Sequence, residues 1–233
     1  MITGASRGLG AALAERFAAE GATLVLVART PGALEEVDDR VRAAGGKATL
    51  VPLDLTEAQA IDQLGGALAQ RFGRLDVLVA GAAELGPLSP LGHVAPAAFA
   101  RVMAVNATAN WRLIRSLDPL LRASRAGRAI FVTCAQARAG KPFWGAYAVS
   151  KAALEALAMA YAAENRRTAL RVNVIDPGVM RTRLRAQAYP GEDPGKLPEP
   201  GAVTEFFVAL AETSCEHHGQ LIEPAASDRP SEP

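Results

Sequence analysis

Tyr147 and Lys151 stand four residues apart in Tyr147-Ala148-Val149-Ser150-Lys151, a spacing that places two side chains on one helix face. A tyrosine hydroxyl ordinarily titrates near ~10, too high for a base at neutral pH. A lysine one turn away favours the phenolate, so the pair is a tunable acid/base for moving a proton to or from an alcohol oxygen. Taken alone, the same pattern is also an ordinary helix face.

A second group lies at the start of the chain. Thr3-Gly4-Ala5-Ser6-Arg7-Gly8-Leu9-Gly10 fits T-G-x-x-x-G-x-G. Glycines let a backbone turn sharply and approach a pyrophosphate, while the helix that follows aims free N–H groups at it. Without context, the run is equally a tight strand-to-helix turn. The next strand ends at Ala28-Arg29, where a dinucleotide site usually places an acid for the ribose hydroxyls. Arg29 instead suits a 2′-phosphate, with Arg7 as a second partner, which favours NADP(H) over NAD. The competing reading makes Arg29 a solvated strand end. In Asp54-Leu55-Thr56 the Asp54 carboxylate either accepts from the adenine amino group or caps the following helix. Thr56 is the better cap and would free Asp54.

These groups need elements to hold them. Residues 22–28, 47–53, 75–80, 128–133 and 170–175 are apolar, β-branched runs suited to parallel strands covered on both faces. Between them lie helical patterns. Leu9, Leu13 and Phe17 form one stripe, Thr30-Pro31 opens a helix, Thr56-x-x-Gln59 reads as a capping box, and 96–120 and 147–165 are two long helices. The alternation predicts a single-domain, Rossmann-like α/β fold: a doubly wound parallel sheet flanked by helices over residues 1–223. Residues 81–93 read as a loop, 184–200 as a loop or mobile lid over substrate, and 224–233 as a disordered tail. Only three residues precede Gly4, so the first strand is truncated, and a start site placed too far downstream is the expected explanation.

Composition excludes several classes. The net charge is +1, which offers no electrostatic basis for binding nucleic acid or an anionic membrane. No apolar run approaches the ~20 residues of a membrane helix. Cys134 and Cys215 are too few for a disulfide framework and fit a reducing, cytoplasmic setting. His93 and the adjacent His217-His218 lack metal-ligand spacing, so no metal site is expected.

The sequence resembles the short-chain dehydrogenase/reductase family over essentially its whole length. The matching elements are T-G-A-S-R-G-L-G (3–10), D-L-T (54–56), V-N (105–106), Y-A-V-S-K (147–151), R-V-N (171–173) and P-G-V-M-R-T (177–182), in order and in spacing. The resemblance implies NADP-dependent hydride transfer between a nicotinamide and a small carbonyl or alcohol substrate. It makes Tyr147 the proton donor or acceptor. Lys151 would hold the nicotinamide ribose, and Asn106 would support a proton relay to Lys151. Pro177, Gly178, Val179 and Thr182 would border the nicotinamide, with Gly4, Ser6, Arg7, Gly8, Leu9, Arg29, Asp54, Leu55, Ala80 and Gly81 along the rest of the cofactor. It also implies a homodimer or homotetramer.

Two departures stand out. The family's substrate-orienting serine, thirteen residues before the tyrosine, is Cys134, a weaker and longer hydrogen-bond donor. After the 75–80 strand the family's N-N-A-G becomes Ala80-Gly81-Ala82-Ala83. These substitutions motivate an alternative: a catalytically weakened paralogue that binds NADP(H) as a sensor or assembly partner. Leu85, Leu88, Phe143 and Trp144 hint at a partly apolar pocket.

Overall fold

The computed structural model describes residues 1–224, so the expected tail lies outside the described residues except for Pro224. Strand and helix alternate: β1 (Ile2–Thr3), α1 (Gly8–Ala19), β2 (Thr23–Ala28), α2 (Pro31–Ala43), β3 (Lys47–Pro52), α3 (Ala58–Phe72), β4 (Val77–Ala80), α4 (Pro96–Met103), α5 (Ala109–Ala123), β5 (Arg128–Val132), α6 (Gln136–Ala139), α7 (Gly145–Glu164), β6 (Arg171–Ile175), α8 (Arg183–Ala188), α9 (Thr204–Ala211) and β7 (Leu221–Ile222). Among the described residues the strands form one parallel sheet in the order β3-β2-β1-β4-β5-β6-β7.

Apolar strands buried on both faces divide the core into two layers. Leu13 and Phe17 of α1 pack with Leu26, Val79, Ile130 and Phe207 on one face. Leu113 and Leu117 of α5 and Leu154 of α7 pack with Val25, Leu78 and Phe131 on the other. Each such side chain, fully buried, contributes about 1.5–3 kcal/mol relative to exposure. The two-residue β1 sits at the centre, pairing with β2 through Ile2↔Leu26 and with β4 through Ile2↔Val79. Met1 prolongs it: its carbonyl accepts from Val79 N–H at 2.9 Å and its amino group donates to the Val77 carbonyl at 2.7 Å. Connections from β1 and β4 leave toward opposite sides of the sheet. The crevice at their carboxyl ends is the switch point where such sheets take ligands.

Four details differ from the sequence expectation. Thr56 does not cap α3: Glu57 occupies the cap without a side-chain bond, while Thr56 donates from N–H and Oγ1 to Asp54 at 2.9 and 2.8 Å. Asp54 is therefore engaged by Thr56 rather than freed by it. The expected 96–120 helix is interrupted by a π-turn at Ala104–Thr108 that splits it into α4 and α5. The 184–200 segment is not all loop. Thr182 accepts from Arg185 N–H at 3.2 Å and nucleates α8. Strand β7 was not foreseen, because two residues carry no periodicity.

Candidate functional site

The β1–α1 turn builds one end of a cleft. Gly4 has φ +70°, and a Cβ there would lie 2.8 Å from the Ala82 Cα. A Cβ on Gly10 would lie 2.3 Å from the Gly4 carbonyl oxygen. Side chains are thus excluded where the loop must fold tightly against β4 and itself. Helix α1 begins at Gly8 with no side-chain cap, leaving first-turn N–H groups available to an anion. Arg7, Arg29 and Thr30 lie exposed at the far edge of this end. Asp54 is half-buried there. Desolvation works against its charge, but the two Thr56 bonds and the Arg29 and Arg101 charges outweigh it and hold the carboxyl below its usual range.

Beside the turn, the end of β4 is anchored without an asparagine. Ala82 N–H donates to Thr3 Oγ1 at 3.3 Å. Asn106, in the π-turn, clamps Glu84, two residues on, from both sides: its Oδ1 accepts from Glu84 N–H at 2.8 Å and its Nδ2 donates to the Glu84 carbonyl at 2.9 Å. The same Nδ2 donates to Ser150 Oγ at 2.9 Å, which ties α7 to this loop. π-turns concentrate at functional sites, and this one turns Asn106 inward. The Asn106 carbonyl accepts from Asn110 Nδ2 at 2.8 Å.

Helix α7 carries the acid/base candidates. Tyr147 and Lys151 are buried on the same face, with Lys151 Nζ 5.8 Å from the Tyr147 ring centre. Lys151 Nζ donates to the Val132 carbonyl at 2.8 Å, and burial lowers its pKa. Burial pushes the Tyr147 hydroxyl well above its ordinary value, and its interaction with the Cys134 thiol adds to the rise. The chain's own groups therefore hold Tyr147 as an acid. Cys134 follows β5 and faces Tyr147, with burial raising its own pKa so that the thiol keeps its proton. Arg138 braces this corner against Glu155, Asp176 and Glu223, and Thr133 Oγ1 donates to Glu155 at 2.6 Å.

After β6, Gly178 turns with φ +80° and donates to Asp176 Oδ1 at 3.0 Å. Thr182 then approaches the glycine turn: a Cβ on Gly8 would lie 3.3 Å from the Thr182 Cγ2. The whole forms one cleft of about 940 Å³. Gly4, Ser6, Arg7, Gly8, Leu9, Arg29, Asp54, Leu55, Gly81, Cys134, Tyr147, Lys151, Pro177, Gly178, Val179 and Thr182 line it. Ala80 and Asn106 lie buried behind the wall. Leu85 and Trp144 also reach the cleft, whereas Phe143, with φ +72°, is turned out to solvent. Tyr189, Leu184 and Ala188 of the lid line it too. Sequence reasoning assigned the 184–200 segment to the site but not these side chains, because Tyr189 stands in a Pro- and Gly-rich run that carries no pattern. His218, by contrast, is used structurally, accepting from Val172 N–H at 3.3 Å.

Comparison with known proteins gives a consistent picture. A family profile described as short chain dehydrogenase matches residues 1–193. An uncharacterized oxidoreductase, YciK, of Escherichia coli K12 is 35% identical over 213 residues, covering 90% of this chain and 84% of its own. The crystal structure of a short chain dehydrogenase from Salmonella enterica serovar Typhi superposes with a TM-score of 0.91 at 35% identity, covering 95% of this chain and 94% of that one. A structure from Escherichia coli CFT073, described as a short chain dehydrogenase complexed with NADPH, superposes with a TM-score of 0.89 at 35% identity, covering 95% of each chain.

Proposed function

This chain belongs to the short chain dehydrogenase family and is an oxidoreductase on a parallel α/β domain, and from that premise we propose that it is an NADP(H)-dependent reductase of a small carbonyl compound. The observation that carries the reading is a single cleft with a phosphate cradle and Arg29 at one end and a proton-bearing Tyr147 against Cys134 at the other. The cradle fits the cofactor: a side chain would collide with backbone at Gly4 and Gly10 and be strained by φ +51° at Gly8, the first-turn α1 N–H groups are open to an anion, and Arg7 and Arg29 border the end where a 2′-phosphate would lie. The relative complexed with NADPH supports the same choice.

When bound, the nicotinamide supplies the hydride. The chain's own residues do the rest. Tyr147 donates its hydroxyl proton to the substrate oxygen, and the Cys134 thiol donates a hydrogen bond to that oxygen. Lys151, anchored on the Val132 carbonyl, places positive charge beside Tyr147 and stabilises the tyrosinate left behind. Asn106 acts through position, fixing the Glu84 loop and α7. Ala83 lines the cleft where the family has glycine, and the Asn106 clamp on Glu84 anchors the segment that follows it. Exposed Trp111 on α5 and Val149 on α7 favour a homodimer through these helices. A cytoplasmic, reducing setting would keep both thiols free. Among the described residues no helix is long and apolar enough to cross a membrane.

The test is NADPH oxidation, followed at 340 nm, against a carbonyl panel for wild type and Tyr147→Phe, with calorimetric titration of NADPH into both. Turnover that vanishes in Tyr147→Phe while NADPH still binds is the expected result. Binding without turnover, in wild type and in Cys134→Ser alike, would instead favour the sensor reading.

A further inference from the structure

At the substrate end of the cleft three aromatic rings stand in a row. The Tyr147 and Trp144 ring centres are 5.9 Å apart at 66°, and the Trp144 and Tyr189 centres are 5.8 Å apart at 40°. Leu85 is buried against Trp144 and Tyr147, and Leu184 and Ala188 of α8 pack on the same cluster. The wall therefore continues directly from the proton-donating hydroxyl to the lid.

Most charged groups beside the aromatic wall have partners. Arg185 stacks on Tyr189 at 3.8 Å and grips Glu192 with two bonds of 2.6 Å. Lys141 Nζ donates to the Tyr189 hydroxyl at 2.6 Å and lies 5.7 Å from the Trp144 ring centre. Glu84 pairs with Arg101 at 2.9 Å. Arg183 is exposed between Thr182 and Leu184 and lines the cleft. A ligand carboxylate beside Trp144 would lose its water and could pair with the two cations on this wall only by drawing Lys141 off the Tyr189 hydroxyl or Arg185 off Glu192, and that is costly. A neutral apolar body would exchange water for ring faces and leucine methyls.

We propose that the carbonyl substrate is a neutral molecule with a flat, apolar body that lies on Trp144 and Tyr189, with α8 folded over it. Resting on the reductase reading above, this adds the substrate class. Tyr189 and Leu184 become specificity-determining residues, and Lys141 and Arg185 become positioning residues that hold the Tyr189 ring in place.

The chain has two tryptophans, and Trp111 is exposed on α5, outside the cleft wall. Trp111→Phe therefore leaves Trp144 as a reporter inside the site. The probes are ethyl benzoylformate and benzoylformate, which share a ring and a ketone and differ in charge. Each is titrated into Trp111→Phe with saturating NADP+, so that no hydride is available and emission reads binding alone. The ester is expected to perturb Trp144 emission with a half-saturation about tenfold or more below that of the anion. Adding Tyr189→Ala should weaken the ester about tenfold, the loss expected from removing one ring face. Equal or tighter binding of the anion, no emission change with either probe, or an ester affinity indifferent to Tyr189→Ala overturns the proposal. A parallel NADPH assay separates the two readings. Ester binding without ester turnover sinks the reductase and leaves the pocket assignment standing. Turnover confined to benzoylformate keeps the reductase and sinks the pocket assignment.

Discussion

Replacing Cys134 by serine should make the protein a faster reductase. Cys134 follows Thr133 at the end of β5 and meets the Tyr147 hydroxyl, and burial keeps its thiol protonated, so it acts as a donor rather than a thiolate. A full donor to a developing oxyanion is worth about 2.7–4 kcal/mol, or roughly 10²–10³ in turnover. A thiol is a weaker and longer donor. If it supplies about half of that stabilisation, serine recovers about 1.5–2 kcal/mol, equivalent to ~10–30-fold in kcat. The change removes little volume at a half-buried position, so the stability cost should stay within about 1 kcal/mol. Initial rates at saturating NADPH, with the melting temperature and the NADPH Kd as controls, measure the effect. A kcat that stays level or falls while both controls hold would show that the side chain at this position does not limit the chemical step.

Arg29→Ala should raise the Kd for NADPH about 10–100-fold while leaving NADH within a factor of about two, since a charge-assisted bond is worth ~1.5–3 kcal/mol and only NADPH carries the 2′-phosphate; calorimetry with both cofactors decides, and equal losses would remove the phosphate contact. Gly4→Ala forces a Cβ to 2.8 Å from the Ala82 Cα at φ +70°, so it should cost about 1–3 kcal/mol in urea unfolding and more than about tenfold in NADPH affinity; a variant with wild-type affinity would show that the turn does not cradle phosphate. Burial pushes both Tyr147 and Tyr161 above their ordinary values, and Tyr161 also donates to Asp118 at 2.8 Å. Because the folded chain keeps these protons where an unfolded tyrosine loses them, the stability they contribute is present below about pH 10 and lost as pH rises beyond it. Tyrosinate absorbance at 295 nm should therefore show two hydroxyls titrating late, one fewer in Tyr147→Phe, and two ordinary titrations at those positions would contradict the burial argument.

Much of the site was legible because its signals are local. The glycine turn, Arg29 and the Tyr147–Lys151 spacing each declare their geometry within one turn or one helix, and the strands carry apolar runs that admit few alternatives. Asn106 was placed in the site by resemblance alone. What it does, clamping Glu84 and reaching Ser150 on another helix, depends on contacts between residues 22 and 44 positions apart. The Thr56 cap was misjudged because a short hydroxyl side chain can bond in either direction, and only the fold shows that Thr56 donates to the Asp54 carboxylate instead of capping α3.

The amino-acid sequence by itself determined the alternation of strand and helix, the glycine turn after β1, the arginine at the end of β2 and the Tyr147–Lys151 pair on one helix face, since each follows from spacing along one element. Tertiary structure alone decided the state of that pair. Burial makes Tyr147 an acid, Lys151 is held on the Val132 carbonyl, and the lid brings Tyr189 across to Trp144. Desolvation and ring packing depend on what surrounds a side chain in space, and residues as distant in sequence as Tyr189 is from Trp144, 45 positions, supply those surroundings only once the sheet has assembled.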